Sequence, residues 1–244
     1  MDWTPWLAHF ERNRTRPLPP VAERNDALPP EWVPVIAASL AKFQRGETGE
    51  GRIANEVRKL GWDAIDDTYV ATLRAFVAEE GRHARILGIA VRALGGAPAP
   101  EAWSGKVFEL GRRALDPRFE LVALLGAEVA AIAAYQALAA RLPDCGLRDA
   151  IHQIIADEHD HLRFHATLFA AAAPSGPRRA ALVVALSSIL AGASAVLLAD
   201  HAALWRTLGV SPIRLAHDLR KVAHEALVAT RTPQAPPDRA VMAA

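Results

Sequence analysis

Two stretches of this sequence repeat the same arrangement of a carboxylate and a histidine, 78 residues apart. The first contains Glu80 and His83 in a Glu-x-x-His motif, and the second contains Glu158 and His161 in the same motif. Positions i and i+3 are neighbours on a helix, so each stretch presents one carboxylate and one imidazole to the same point. Two such helices facing each other can hold a pair of metal ions between them.

A further glutamate lies 30 residues before the glutamate of each motif. Glu50 has this position in the first half of the chain, and Glu128 has it in the second. A four-helix carboxylate site needs one glutamate from each of two partner helices. Glu47, one turn before Glu50, is an alternative ligand, but the repeat favours Glu50. The predicted metal ligands are Glu50, Glu80, His83, Glu128, Glu158 and His161.

The predicted ligand set favours particular metals. Glu128 lies in an apolar stretch, where a carboxylate is costly unless it is paired or bound to metal. Hard oxygen ligands with a little imidazole suit iron or manganese better than copper or a closed zinc site. We therefore expect two iron ions, with manganese or a mixed manganese–iron pair as alternatives. Interhelical ion pairs with nearby arginines are the alternative that needs no metal.

The carboxylates next to the motif glutamates are predicted to orient the histidines. A ligating histidine usually donates its other ring N–H to a carboxylate, which fixes the tautomer. We expect Asp157 to orient His83, and Glu79 to orient His161, across a pseudo-twofold axis. Two arginines, Arg85 and Arg163, are then candidates for bracing these carboxylates, with simple solvated charge as the alternative.

One further histidine shares the face of the second motif. His165 lies one turn beyond His161, whereas the corresponding residue of the first half is Leu87. It could serve as a seventh ligand, as a proton donor to reduced oxygen or as a polar contact, and we favour a position beside the ligands. Tyr135 lies two turns beyond Glu128, where we favour a core tyrosine with a satisfied hydroxyl.

The elements that position these residues are predicted to be helices. Alanine is abundant and apolar residues recur at helical spacing, which indicates an all-α chain. Six helices are expected, over residues 31–60, 66–94, 117–141, 147–173, 179–208 and 212–230. A crossover of about two dozen residues, with a short helix over 106–114, joins the second helix to the third. The expected domains are an irregular segment 1–30, a four-helix bundle 31–173, a C-terminal helical extension 178–230 and a disordered tail 231–244.

The overall composition excludes several kinds of site. A net charge of +1 gives no case for nucleic-acid binding. The single cysteine, Cys145, excludes a disulfide framework and any four-cysteine iron site. No secretory signal is visible at the N-terminus, so the cytoplasm is the expected location. The uncharged segment Ala181–Ala199 approaches the length of a membrane span, but its serines and glycine favour a buried helix over membrane contact.

The motifs resemble those of the ferritin-like di-iron carboxylate proteins, which include ferritins, rubrerythrins, acyl-carrier-protein desaturases and ubiquinone-pathway hydroxylases. The resemblance covers residues 35–172 and rests on residues 79–83, on residues 157–161 and on Gly49-Glu50-Gly51. Asp160 stands where these motifs usually have arginine. The resemblance implies a ferritin-like four-helix bundle with a long crossover between its second and third helices. Two C-terminal helices follow this bundle and match no motif.

The resemblance also implies a function. The chain is expected to bind two iron ions, to react with O2 and to oxidise, hydroxylate or desaturate a small or lipid-like substrate, with electrons from an unidentified donor. A ferroxidase or peroxide-scavenging protein is the first alternative, although rubrerythrin-like chemistry lacks its four-cysteine site here. A non-enzymatic, metal-stabilised bundle whose C-terminal helices contact a membrane or a partner is the second. A homodimer is compatible with each of these.

Overall fold

The computed structural model describes residues 1–48, 50–99 and 116–237, and the side chain of Glu50 lies outside this description. Over these ranges the chain is all-helical and contains no strand. The described α-helices are α1 (Thr4–Arg14), α2 (Val33–Gly46), α3 (Ile53–Glu56), α4 (Asp67–Ala93), α5 (Pro117–Ala139), α6 (Gly146–Ala172), α7 (Gly176–Asp200), α8 (Ala202–Thr207) and α9 (Pro212–Ala229). The predicted short helix over 106–114 lies outside the described residues.

Local sequence signals account for the ends of the helices that carry the motifs. Asp66 caps α4, because its carboxylate accepts a hydrogen bond of 2.7 Å from the backbone N–H of Tyr69. Asp116 caps α5 by accepting from the backbone N–H of Arg118 at 2.8 Å, and Pro117 occupies the first turn. The predicted helices over 66–94, 117–141 and 147–173 are therefore confirmed to within two residues.

The helices pack so that the motif helices lie inside the molecule. Helix α2 packs on α4, α5 packs on α6, and α4 also contacts α6. The α2–α4 contact is close at Gly88, where a Cβ atom would lie 2.8 Å from the side-chain nitrogen of Gln44. Helices α7 and α9 pack on α5, and α9 also packs on α6. The faces of α4 and α6 that carry the motifs are thereby shielded from solvent.

The N-terminal segment belongs to the core, so the prediction that residues 1–30 are irregular was wrong for α1. Trp3, Trp6 and Phe10 lie on one face of α1 and are at most 1% exposed. The indole N–H of Trp3 donates to the Ala64 carbonyl at 2.7 Å. Prolines dominate this segment only after α1 has ended, and the spacing of its aromatic residues by three and four positions is helical. The prediction of an irregular segment rested on the number of prolines and did not take this spacing into account.

Three further boundaries differ from prediction. The first predicted helix, 31–60, ends at Gly46 and continues as short turns, because Gly46, Gly49 and Gly51 weaken the helix there. The helix predicted over 179–208 divides at His201 into α7 and α8. The tail predicted to be disordered is anchored at Gln234, whose carbonyl accepts a hydrogen bond of 3.0 Å from the Trp6 indole.

Helix α7 is much more exposed than the sequence predicts. Among the described residues, α5 and α7 are long and apolar enough to cross a membrane by length and composition alone. In the most apolar 18 residues of each, 72% are buried in α5 but only 22% in α7. Leu182 and Leu186 face the interior, whereas Val184 is 66% exposed. The prediction of a buried helix over 181–199 was therefore wrong, because only one narrow edge of α7 meets α5.

Candidate metal centre

The two Glu-x-x-His motifs meet in the interior. Helix α4 contributes Glu80 and His83, and α6 contributes Glu158 and His161, each at most 5% exposed. One ligand atom from each of these four side chains lies within 4.8 Å of the other three. The duplication in the sequence thus corresponds to one cluster that could hold a metal ion.

The motif glutamates lie between the two imidazoles. The two carboxylate oxygens of Glu158 face different rings, with Oε1 3.2 Å from His83 Nδ1 and Oε2 3.4 Å from His161 Nδ1. The Oε1 atom of Glu80 is 2.7 Å from His161 Nδ1 and 3.9 Å from His83 Nδ1. Each carboxylate is therefore placed to serve both halves of the cluster.

The atoms that point into this cluster lie close to one another, but within the described residues none of them makes a hydrogen bond of acceptable geometry. They are Glu80 Oε1, His83 Nδ1, both carboxylate oxygens of Glu158, and His161 Nδ1. A buried polar atom without a partner costs about 1–3 kcal/mol, so five of them at one point require an explanation. Carboxylate oxygens and imidazole nitrogens are suitable ligands for iron or manganese, and the residues present fit such a centre.

The outer nitrogens of the two histidines contact the carboxylates expected from the sequence. His83 Nε2 lies 3.3 Å from Asp157 Oδ2, and His161 Nε2 lies 3.2 Å from Glu79 Oε2. A proton on Nε2 that is donated to a carboxylate leaves the lone pair of Nδ1 directed at the cluster. Both rings are therefore oriented for metal binding through the same atom.

An arginine that the sequence did not single out joins the two orienting carboxylates. The guanidinium of Arg16, in the segment after α1, forms an ion pair with Asp157 and lies 3.7 Å from Glu79. Arg82 is buried, lies 4.0 Å from Asp157 and donates to the Pro17 carbonyl at 2.7 Å. No spacing rule marks Arg16, because its position depends on how the N-terminal segment crosses α4 and α6.

The two arginines proposed as braces lie elsewhere. Arg85 is exposed, and Arg163 lies 3.5 Å from Asp160. Asp160, which stands at the position of Arg82 in the other motif, also lies 3.2 Å from His9 Nε2 of α1. The second motif thus contacts α1 through an aspartate, whereas the first contacts the N-terminal segment through an arginine.

The glutamates of the partner helices are also at the centre. Glu128 is buried, with Oε2 3.8 Å from His161 Nδ1 and Oε1 3.7 Å from His165 Nε2. Glu47 accepts a hydrogen bond of 2.5 Å from the hydroxyl of Tyr135. The negative charges of Glu80 and Glu158 contribute to the raised pKa of its carboxyl group. The alternative ligand Glu47 is therefore held by Tyr135 close to the cluster.

The end of α2 explains the position of Glu47. The helix stops at Gly46, and Glu50 begins a separate short turn, Glu50–Arg52. The spacing of 30 residues placed Glu50 inside the helix predicted over 31–60, and this placement was wrong. The side chain of Glu50 lies outside the described part of the chain, and its role as a ligand stays a prediction.

The clustered charges shift the protonation of the ligands. Burial and neighbouring carboxylates raise the pKa of Glu47 and of Glu128 well above the usual range. Burial opposes ionisation of Glu158, but its close contacts with Glu128 and the two motif histidines hold its pKa well below the usual range. Burial would likewise lower the pKa of both histidines, but the surrounding carboxylates raise it for each.

These shifts predict that the metal-free protein loses stability as pH rises, because the four groups with a raised pKa outweigh His165 and His201, whose pKa burial lowers to about 3 and about 4. The raised pKa values of His83 and His161 stabilise the fold fully below about pH 6.5, and this contribution disappears as pH rises through the folded-state pKa. The raised pKa values of Glu47 and Glu128 also stabilise the fold at low pH, and this contribution decreases as pH rises above about 4.5. Each extra proton held by the folded state lowers the free energy of unfolding by about 1.4 kcal/mol per pH unit.

Urea unfolding of chelator-treated protein at pH 6, 7 and 8 measures this slope. The variant His217→Gln, at an exposed position, is the control and should retain it. A free energy of unfolding that is constant or rises over this interval would contradict the prediction. Added metal should reverse the trend, because metal binding requires deprotonated ligands.

Aromatic side chains cover the histidine side of the centre. The ring centroid of His161 lies 4.8 Å from that of Phe76 and 5.8 Å from that of Phe10. Phe164 adds contacts to both phenylalanines. These rings exclude water and strengthen the electrostatic interactions of the ligands.

Comparisons with known proteins give no relative. No protein-family model, no curated protein and no solved structure matches this chain.

Proposed function

We propose that this protein is a dinuclear metal protein of the ferritin-like di-iron type, which reacts with O2 and oxidises, hydroxylates or desaturates a small or lipid-like substrate. The observation that carries the proposal is the group of buried ligand atoms on Glu80, His83, Glu158 and His161 that converge without forming hydrogen bonds. In this proposal α2, α4, α5 and α6 form the four-helix bundle.

The proposed ligand set combines the sequence motif with the observed contacts. Both motif glutamates would serve the two metal positions, and His83 and His161 would each bind one. Glu128 and Glu47 would be the remaining carboxylate ligands. Glu47 would bind metal in place of Glu50, which the sequence repeat predicts as the ligand. Bound iron would supply the chemistry of O2, and manganese or a mixed pair would fit the same donors.

The chain's own residues would prepare the centre in three ways. Asp157 and Glu79 would hold the imidazoles in the ligating tautomer. Tyr135 would fix the carboxylate of Glu47 through its hydroxyl. The phenylalanines around His161 would keep bulk water out.

Metal analysis together with O2 consumption tests this proposal. Protein produced with iron supplementation should contain two irons per chain and consume O2 when the reduced form is mixed with it. A metal-free, fully folded protein would overturn the proposal. Iron storage instead predicts a large particle with many irons per chain, so the mass of the assembly in solution separates the two functions.

The exposed apolar face of α7 supports a second role, contact with a lipid surface. Val184 and Val196 are 66% and 39% exposed on a helix with no charged side chain between residues 180 and 199. An apolar helix face that lies on a bilayer gains free energy in proportion to the area it buries. This role would bring a lipid-like substrate close to the protein.

Cosedimentation with liposomes tests the second role. The substitution Val184→Lys should weaken binding about tenfold, because burying one valine side chain contributes about 1.5 kcal/mol. Ile213→Lys on α9, at a side chain that is 83% exposed, is the matched control and should bind like the wild type. Equal sedimentation of the wild type with and without liposomes would contradict the role.

A further inference from the structure

His165 is a buried imidazole beside the centre that no ligand set above uses. Its side chain is 0% exposed, and neither ring nitrogen has a hydrogen-bond partner among the described residues. It lies one turn beyond His161 on α6, so it faces the same side of the helix. Native structures rarely bury an imidazole with both nitrogens unpaired.

The nearest polar atom recorded for His165 is on a proposed ligand. Its Nε2 atom lies 3.7 Å from Glu128 Oε1. This separation is too long for a hydrogen bond. It agrees with the separation between two ligand atoms of one metal ion, which is about 3–4 Å when each atom lies about 2.1 Å from the metal.

Aromatic packing holds the ring of His165 in this place. Its centroid lies 4.8 Å from that of Phe76, with the planes at 86°, and 5.2 Å from that of Phe164. The imidazole is therefore confined by its neighbours, and its unpaired nitrogen stays close to Glu128. A ligand held in one orientation before metal arrives loses little entropy when it binds.

We propose that His165 is a third imidazole ligand, which binds the same metal ion as His161 and Glu128. This inference rests on the proposed function. It makes the two metal positions different, because the equivalent residue on α4 is Leu87, a buried apolar side chain that cannot bind metal. The position beside His161 gains a nitrogen ligand, whereas the other position does not.

The unequal positions should be visible as two binding steps. A position with two imidazoles should bind divalent cobalt or iron more tightly than a position with one, since imidazole is a good ligand for both. Titration of chelator-treated wild-type protein with cobalt(II), followed by calorimetry and visible absorption, should therefore resolve a tight step and a weaker step.

The substitution His165→Leu introduces the residue found at the equivalent position of α4. It should weaken one cobalt step by at least about tenfold, because loss of an outer contact to a ligand already costs 10–100-fold in affinity. The visible spectrum of that ion should also change, while the other step keeps its affinity. The matched control is His224→Leu, at an exposed histidine of α9, which should leave both steps unchanged.

A second variant keeps the test decisive if His165→Leu perturbs folding. His165→Ala leaves a space beside Glu128, and added imidazole should fill this space and restore the lost affinity and spectrum. Affinity and spectra of both variants that match the wild type, or no response to imidazole, would overturn the role of His165 alone. A wild type that binds no metal would overturn the proposed function together with this inference.

Discussion

Replacing Glu158 by alanine is expected to remove both metal ions from the protein. The two carboxylate oxygens of Glu158 face His83 and His161 separately, so a single substitution takes a ligand from both positions. The motif carboxylate Glu80 approaches both nitrogens with the same oxygen, Oε1, so it does not supply the two separate oxygen contacts that Glu158 provides. Metal analysis of iron-supplemented protein should find two ions per wild-type chain and none retained through purification in the variant.

The same substitution should also abolish stabilisation by metal. A ligand present at 100 times its dissociation constant raises the free energy of unfolding by about 2.7 kcal/mol. The wild type should show this gain on addition of ferrous iron under anaerobic conditions, and the variant should show none. Glu120→Ala removes a buried carboxylate two turns from Glu128 and should retain both ions. Two ions in Glu158→Ala would refute the bridging role.

Replacing Arg16 by leucine is expected to destabilise the protein and to weaken metal binding together. The guanidinium forms an ion pair with Asp157, approaches Glu79 and lies beside both orienting contacts. The free energy of unfolding should fall by about 3 kcal/mol, which is the lower end of the range for breaking a buried ion pair. We expect the lower end because 28% of the Arg16 side chain is exposed. Metal affinity should fall about 10–100-fold, because Asp157 and Glu79 would no longer be fixed by Arg16 and would orient the two histidines less well.

Another arginine of the N-terminal segment, Arg24, provides the control for Arg16. Arg24 also pairs with two aspartates, Asp144 and Asp149, but both partners are exposed. Arg24→Leu should change the free energy of unfolding by about 0–1 kcal/mol and leave metal affinity unchanged. Urea unfolding and cobalt titration of both variants measure the two effects. Equal stability losses in the two variants would show that Arg16 contributes only surface charge.

The local parts of this fold could be read from the sequence. The bounds of α4, α5 and α6 follow from capping residues and from apolar spacing, which act within a few residues. Spacing of i and i+3 on a helix places Glu80 with His83 whatever surrounds them. The cross-pairing of Asp157 with His83 followed from the internal repeat, because two similar helices that face each other exchange equivalent contacts.

Contacts between distant segments could not be read in this way. The position of Glu47 depends on the end of α2 at Gly46, and an extrapolated helical register misses that break. The helix α1 was not predicted because the N-terminal segment is rich in proline, although Trp3, Trp6 and Phe10 have helical spacing. The exposure of α7 depends on how much of its surface α5 can cover.

The sequence by itself determined an all-helical chain with two Glu-x-x-His motifs and the carboxylates that orient their histidines. These properties depend on helical periodicity, which is a local property of the backbone. Only the tertiary structure decided that Arg16 joins both orienting carboxylates and that His165 lies beside Glu128 without a hydrogen-bond partner. Such contacts depend on the angles at which helices cross, and these are set by the summed packing of many side chains.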